Sequence, residues 1–401
     1  MVMHGLMNAK VSMPVFTERV FERLPRMDQR RWAQMYVQGL LSTPGKKTVR
    51  RLAASVSDSP TASQSLHQFV NASPWDWAPV RDELSRWTEQ EMNPRAWLLD
   101  LAVLRKRGEH SCGVHRRFVP STGRSVTCQV GVGGFLATQD AAVPVDWRLL
   151  LPGSWTKDAE RRQRTKIPAD AGQRSLEQHA LDVVDTMAAS SRTAPVPVVA
   201  DLGESTGAAA LVRGLSQRGR DFVISVPGSL QIMAGRHLRL QRPNTGEGQG
   251  LLLNARSLFE FDSAGLTRIE TVGPWGGGPG RHNTVMSAFV RLPEPASAAG
   301  NQVYRSYRLF AVRNERARQP VKLWLTNLTH ARTEEVLGLT GLLDRSAETV
   351  RELENDLGLL DFEGRSFPGW HHHMTLVSAA YAYRSFGRPG GGGGEPLLQA
   401  A

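Results

Sequence analysis

Residues 97–100 read Trp-Leu-Leu-Asp and residues 196–201 read Val-Pro-Val-Val-Ala-Asp, so two short apolar runs each end in an aspartate. Apolar runs of this length, bounded by turn residues, are typical of buried strands. We therefore predict that Asp100 and Asp201 stand at the ends of two adjacent strands. An aspartate that ends a strand often only caps the next turn or helix, and that alternative stays open for each residue taken alone.

A Glu-rich helical pattern follows far downstream, over residues 333–357. Carboxylates at the ends of adjacent strands, joined by a glutamate from a helix, can hold two Mg²⁺ ions roughly 4 Å apart. Two such ions activate a water or a 3′-hydroxyl against a phosphodiester. The pattern thus indicates cutting or joining of nucleic-acid strands, with Mg²⁺ as the cofactor.

The order of elements around the two aspartates predicts the fold. Short β runs fill residues 97–138, a helix is expected over 176–187, and the strand that ends in Asp201 follows. Three strands, a helix and a strand are the order of a ribonuclease H-like core. We predict an α/β fold with an N-terminal helical, DNA-binding domain (1–92), the first part of the core (93–220), a β-rich insertion (221–330), C-terminal helices that complete the core (331–386) and a disordered tail (387–401).

Composition bounds the class of protein. A chain of 401 residues with 40% hydrophobic residues is long enough for two or three globular domains. It contains no run of roughly 20 apolar residues, and its first thirteen residues lack an apolar signal core, so we expect no membrane span and a cytoplasmic location. Two cysteines, Cys112 and Cys128, fit a reducing compartment better than a disulfide framework.

The charge predicts a polyanionic partner, and DNA is the expected one. The formal net charge is +11, and a basic chain binds phosphates with release of counterions. All but seven of the 49 basic residues are arginines, but a GC-rich genome would produce the same bias. A basic amphipathic helix is predicted around residues 48–53, and we expect DNA contacts from Lys46, Lys47, Arg50 and Arg51.

Several short stretches recur in the order of a known family. They are 75–76 (Trp-Asp), 106–108 (Lys-Arg-Gly), 128–132 (Cys-Gln-Val-Gly-Val), 150–155 (Leu-Leu-Pro-Gly-Ser-Trp) and 362–366 (Phe-Glu-Gly-Arg-Ser). On these stretches the sequence resembles the DDE transposases of bacterial insertion sequences from about residue 16 to 386. The resemblance implies that Asp100 and Asp201 are the first two catalytic, Mg²⁺-binding aspartates, and that Lys106, Arg107, Arg116 and Arg117 run along DNA.

The third acidic motif of that family is altered. The family carries a catalytic glutamate and, seven residues later, a lysine, and the aligned positions here are Ala347 and Glu354. Glu348 is the remaining candidate for the third catalytic, metal-binding carboxylate, although one residue turns a side chain about 100° around a helix.

Two hypotheses follow from this departure. The chain is a transposase-like enzyme, or it is a domesticated descendant that binds DNA without cleavage or acts on a small molecule. A homodimer stays open under both.

Residues 371–373 are three consecutive histidines. On a helix, adjacent side chains diverge by about 100°, so three neighbours cannot close on one metal ion. We therefore predict a structural role for this triplet.

Overall fold

The computed structural model describes residues 11–119, 123–203, 207–234, 251–260, 267–272, 282–293, 305–314 and 322–387. Within these ranges the chain has a mixed α/β architecture, in which helices pack on a large mixed sheet. No helix in this part of the chain is both long and apolar enough to cross a bilayer. The predicted disordered tail, 387–401, lies outside the described residues apart from Gly387.

The N-terminal segment is helical, as its hydrophobic periodicity predicts. A proline lies in the first turn of two helices, where its missing N–H costs nothing. The Thr48 side chain accepts a hydrogen bond from the Arg51 amide and so caps a third. The elements are α1 (Met13–Val20), α2 (Met27–Ser42), α3 (Val49–Val56), α4 (Ala62–Asn71) and α5 (Ala78–Met92).

The next segment supplies the middle of the sheet. Its elements in chain order are β1 (Ala96–Arg105), β2 (His115–Val119), β3 (Arg124–Ala137), β4 (Ala142–Leu149), α6 (Gly153–Lys157), α7 (Ala159–Thr165), α8 (Leu176–Ser190), β5 (Val198–Ala200), α9 (Ala208–Gln217) and β6 (Phe222–Val226). β1 pairs antiparallel with β3 and parallel with β5, and β5 pairs parallel with β6.

The structure has four strands before α8, which corrects the expected three. The sequence pattern does not predict β4, because Pro144 interrupts it and a proline argues against a regular strand. Pro144 pairs with Phe135 where the register of β3 shifts between Gly134 and Phe135. This irregularity accommodates the proline and leaves β4 paired along most of its length.

The region predicted as a β-rich insertion extends the same sheet. β12 pairs antiparallel with β6, and the sheet order is β2-β3-β1-β5-β6-β12-β11-β10-β9, with β4 on β3. The remaining elements are β7 (Gln231–Ala234), β8 (Leu251–Asn254), α10 (Ser257–Glu260), β9 (Thr267–Val272), β10 (His282–Val290), β11 (Tyr307–Asn314), β12 (Lys322–Thr326), α11 (Thr333–Gly341), α12 (Leu343–Asp356) and α13 (Phe367–Phe386).

Helices cover both faces of the central strands. α8 packs on β3 and β4 from one face, whereas α12 and α13 pack from the other. Two glycines of β3 allow this close approach: a Cβ at Gly131 would lie 3.2 Å from the Trp370 ring, and a Cβ at Gly134 would overlap Val183. The aspartate of β1 is therefore covered by α12, on the α13 side of the sheet.

A buried guanidinium joins the N-terminal helices to the sheet. Arg81 of α5 is only 2% exposed and donates to Asp146 Oδ1 at 3.0 Å, to the Trp147 carbonyl at 2.7 Å and to the His371 carbonyl at 3.0 Å. Burial lowers the pKa of Arg81 to about 10, and the neighbouring Asp146 carboxylate opposes that shift. The N-terminal helices thus share one continuous core with the sheet and α13.

The histidine triplet is buried in this core. Both ring nitrogens of His372 lie 2.8 Å from carbonyl oxygens, those of Val70 and Trp75. His373 Nδ1 lies 3.1 Å from the Tyr36 hydroxyl. Burial lowers the pKa of His372 to about 4 and that of His373 to about 3. The predicted structural role is confirmed, because these imidazoles have protein partners.

Candidate active site

The two strands that carry the aspartates are neighbours in the sheet and run parallel. Leu99 of β1 pairs with Ala200 of β5, so Asp100 and Asp201 occupy the next position on each strand. The Asp201 amide nitrogen lies 3.4 Å from the Leu99 carbonyl oxygen, which continues the ladder to that point. The two aspartates therefore meet at one place on the sheet, and Asp201 directly follows β5 as predicted. The predicted position of Asp100 at a strand end is wrong: it lies in the middle of β1, because β3 keeps pairing with β1 as far as Arg105.

Asp100 is half-buried and is held by two hydrogen bonds. Its Oδ1 accepts from the Leu101 amide at 2.7 Å, and its Oδ2 accepts from the Ser346 hydroxyl of α12 at 2.7 Å. Burial raises the pKa of Asp100 to about 6, although these two hydrogen bonds lower it. The nearby Asp201 carboxylate raises the pKa further, and the Lys322 ammonium lowers it.

Asp201 begins a turn and faces a cation. Its Oδ1 accepts from the Gly203 amide at 3.1 Å, and Gly203 has a φ of 71°, which favours glycine. Its Oδ2 accepts a hydrogen bond from Lys322 Nζ, the first residue of β12. Asp201 therefore caps its turn and also carries an ion pair at the centre.

The helix that supplies a third carboxylate in the resembling family contributes a hydroxyl here. Ser346 is the residue of α12 that touches Asp100, and Ala347 is exposed. Glu348 pairs with Arg345 at 2.8 Å, and Arg345 in turn donates to the Gln139 carbonyl. Two residues turn the helix by about 200°, so Glu348 is directed away from the position of Ser346. The structure does not bring Glu348 to the two aspartates.

The donor set at this centre suits one divalent cation better than two. Mg²⁺ is commonly held by one or two carboxylates together with water and substrate phosphate, and Asp100 and Asp201 provide that pair. Among the residues that the structure describes, no group of three or more His, Cys, Asp or Glu side chains could hold a metal ion. A second ion would lack its carboxylate bridge.

Two of the predicted DNA contacts have structural partners. Lys47 is 6% exposed, its ammonium donates to the Thr43 carbonyl, and burial lowers its pKa. Lys106 Nζ donates to the Phe362 carbonyl at 3.2 Å, and burial lowers its pKa as well. Both ammonium groups hold backbone in place, and contacts of Lys47 and Lys106 with phosphate stay a prediction.

The other predicted DNA contacts lie at or near the surface. Lys46 makes a 3.8 Å ion pair with Glu363 in which both side chains are mostly exposed. Arg51 of α3 donates to the Pro44 carbonyl at 2.7 Å. The structure leaves exposed the side chains of Lys46, Arg50, Arg51, Arg107 and Arg116, and it half-buries Arg117.

Ser346 and Lys322 belong to the centre, and sequence reasoning missed both. Ser346 directly precedes Ala347, the position that the resemblance assigns to the catalytic glutamate. The motif on α12 therefore indicates which part of the helix faces the centre, although it does not indicate Ser346 itself. Lys322 precedes the apolar residues 323–325, which are typical of a strand. Nothing in that run points to a partner 121 residues away.

Comparison with known protein families matches the region that carries both aspartates. A sequence model described as DDE superfamily endonuclease spans residues 19–262, which is more than half of the chain. The match includes α2 to α10 and both aspartates, and it ends before Lys322 and α12. No curated protein matches the sequence.

Proposed function

The chain belongs to the DDE superfamily endonucleases, and we propose that it is a transposase-like DNA-binding protein, of the kind encoded by bacterial insertion sequences. In this proposal Asp100 and Asp201 hold one Mg²⁺ at a DNA phosphate. The observation that carries it is their adjacent placement on the parallel strands β1 and β5. A cytoplasmic location, where the chain meets DNA, is part of the proposal.

The proposed core is ribonuclease H-like. The order β4-β3-β1-β5-β6 supports it, with three antiparallel strands followed by two that run parallel to β1. The boundaries at residues 92, 220 and 330 remain part of this proposal, although the N-terminal helices and the later strands share one hydrophobic core with the central strands.

The chemistry follows from what each side chain can do. A bound Mg²⁺ would lower the pKa of a coordinated water and polarise the phosphate oxygens. Asp100 and Asp201 would hold the cation through carboxylate oxygens, and Ser346 orients the Asp100 carboxylate by its 2.7 Å hydrogen bond. α12 covers part of the Asp100 side chain, and this partial burial strengthens the attraction of the carboxylate to a cation.

We expect cleavage to be weak, because Ala347 stands where the family carries its glutamate and Glu348 pairs with Arg345. The same observation favours a second candidate function, DNA binding without cleavage. Under both candidates DNA contacts come from exposed basic side chains, of which Arg50, Arg107 and Arg116 are examples. Binding should weaken steeply as salt rises, because contacts to phosphate release counterions.

The test is a nicking assay on supercoiled DNA with and without Mg²⁺. We expect slow, Mg²⁺-dependent nicking that Asp201→Asn abolishes. Asp140→Asn is the matched control, because it makes the same chemical change at an exposed turn. Binding of DNA with no nicking at any Mg²⁺ concentration would favour the second candidate. No salt-sensitive binding to DNA would contradict both.

A further inference from the structure

The ammonium group of Lys322 lies at the two-aspartate centre. Its Nζ donates to Asp201 Oδ2 and lies 4.9 Å from the centroid of the Trp324 ring. The Lys322 side chain is 49% exposed, whereas that of Asp201 is 27% exposed. The lysine therefore reaches the centre over an aromatic surface and keeps one side open to solvent, from which DNA would approach.

A cation on Asp201 Oδ2 competes with a divalent ion for the same carboxylate. Two cations on one carboxylate repel each other strongly at contact distance, even with partial screening by solvent. Binding of Mg²⁺ across Asp100 and Asp201 would therefore release the ammonium from Asp201. Because a flexible four-carbon stem ties the ammonium to β12, the released ammonium stays close to the centre.

The charge balance indicates where the released ammonium goes. Two carboxylates and one Mg²⁺ cancel, so a bound phosphodiester adds a negative charge that the carboxylates cannot offset. In the described part of the chain, α12 contacts Asp100 through the Ser346 hydroxyl, which carries no charge. Lys322 is the cation already in contact with the centre.

We propose that Lys322 exchanges partners: it holds Asp201 in the free protein and binds the DNA phosphate when a divalent cation occupies Asp100 and Asp201. This inference rests on the proposed function, and it adds a phosphate-binding residue from β12 to the site. Lys322 thereby couples binding of the metal to binding of DNA.

The first arm of the test measures metal binding without DNA. Mn²⁺ is titrated into the full chain and followed by electron paramagnetic resonance, for the unaltered chain, Lys322→Met, Lys322→Arg and Lys166→Met. We expect Lys322→Met to bind Mn²⁺ about three- to tenfold more tightly, because it removes a competing cation. Lys322→Arg should resemble the unaltered chain. Lys166→Met, the same change at the exposed end of α7, should also leave the affinity unchanged.

The second arm measures binding of a short DNA duplex at constant ionic strength, with Ca²⁺ or with no divalent ion. We expect Lys322→Met to weaken binding about two- to fivefold with Ca²⁺ and to have little effect without it, because the ammonium then stays on Asp201. The ratio of the DNA affinity of Lys166→Met to that of the unaltered chain should be the same with Ca²⁺ and with no divalent ion. Circular dichroism checks that each variant is folded.

The outcomes separate the inference from the proposed function. If the unaltered chain binds Mn²⁺ and Lys322→Met binds it equally well, or if the DNA effect is the same with and without Ca²⁺, the exchange of partners is refuted and the metal site stands. If neither the unaltered chain nor Lys322→Met binds Mn²⁺, the metal site itself fails, and the inference falls with it.

Discussion

At the scale of single residues, the sequence predicts part of the centre and leaves part of it hidden. Asp100 and Asp201 can be found because each closes an apolar run, and strands with such runs tend to be neighbours in the core. Lys322 cannot be found in this way, because its contact with Asp201 depends on how β12 joins β6. Charged residues are common at strand ends, so the role of Lys322 is decided by where the fold places it.

Asp100→Asn should stabilise the protein above neutral pH. Folding raises the pKa of Asp100 from 3.8 to about 6. Between these two pH values the folded protein keeps a proton on Asp100 that the unfolded chain has lost. The contribution of Asp100 to the free energy of unfolding is therefore fully present below pH 3.8 and is lost as pH rises through about 6. This difference in pKa corresponds to about 3 kcal/mol in the free energy of unfolding above pH 6, and asparagine, which stays neutral, would recover it.

The structure also indicates that asparagine fits at this position. Its oxygen can accept from the Leu101 amide, and its NH₂ can donate to Ser346 Oγ, whose own proton can go to the Leu343 carbonyl at 2.9 Å. Denaturant unfolding in metal-free buffer at pH 4 and pH 8 measures the effect, with Asp140→Asn as the surface control. A gain for Asp100→Asn that is equal at both pH values would contradict the assignment to a buried carboxylate.

At the scale of elements, helices with a regular hydrophobic periodicity can be predicted, whereas irregular strands and the contacts between elements cannot. The periodicity predicts α8 and the helices at 333–357, and the structure confirms helices there. It does not predict β4, because the register shift that accommodates Pro144 is a property of the pair of strands. The sequence also does not predict which side of α12 faces the sheet, because only the packed structure shows that Ser346 contacts Asp100.

Restoring the altered motif on α12 should strengthen the metal site. Ala347→Glu places a carboxylate next to Ser346 on an exposed position, and Glu354→Lys removes an acid whose pKa is raised by burial. We expect the double variant to bind Mn²⁺ about tenfold more tightly and to nick DNA faster, because a third carboxylate supports two-metal catalysis.

The control for this variant is the same pair of changes in an Asp201→Asn background, which should stay inactive because the second aspartate is lost. If Glu348→Gln alone abolishes Mg²⁺-dependent nicking by the unaltered chain, α12 rotates in the DNA complex to bring Glu348 to the centre. That result would contradict the register that places Ser346 on Asp100.

At the scale of the whole molecule, the predicted domains meet in one core. Composition and periodicity assign helices to residues 14–92, but they cannot show whether those helices fold alone. The structure joins them to the sheet through Arg81, which reaches Asp146 on β4 and the backbone of α13. Glu89 of α5 likewise accepts hydrogen bonds from Ser191 and Thr193, beyond the end of α8. A DNA-binding role for this segment would therefore be rigidly coupled to the centre.

Arg81→Met should destabilise the entire chain in one cooperative transition. The change leaves Asp146 buried with Arg148 as its remaining ion-pair partner, at 2.8 Å. It also removes one donor from the Trp147 carbonyl and one from the His371 carbonyl, which keep Arg148 and Thr375 as donors. Breaking a buried pair costs about 3–5 kcal/mol, and the surviving Arg148 contact should keep the loss near the lower end. Thermal unfolding followed by far-ultraviolet circular dichroism and by tryptophan fluorescence measures it.

The matched control is Arg19→Met, which breaks a more exposed pair with Glu83 at 3.2 Å and should cost under about 1 kcal/mol. Because Trp87 lies in α5 and Trp147 in β4, fluorescence reports on both parts of the core. Coincident midpoints for the two probes in Arg81→Met mean that helices and sheet unfold together. Two separate transitions, with only the helical one shifted, would show instead that residues 1–92 form an independent domain and that Arg81 merely docks it.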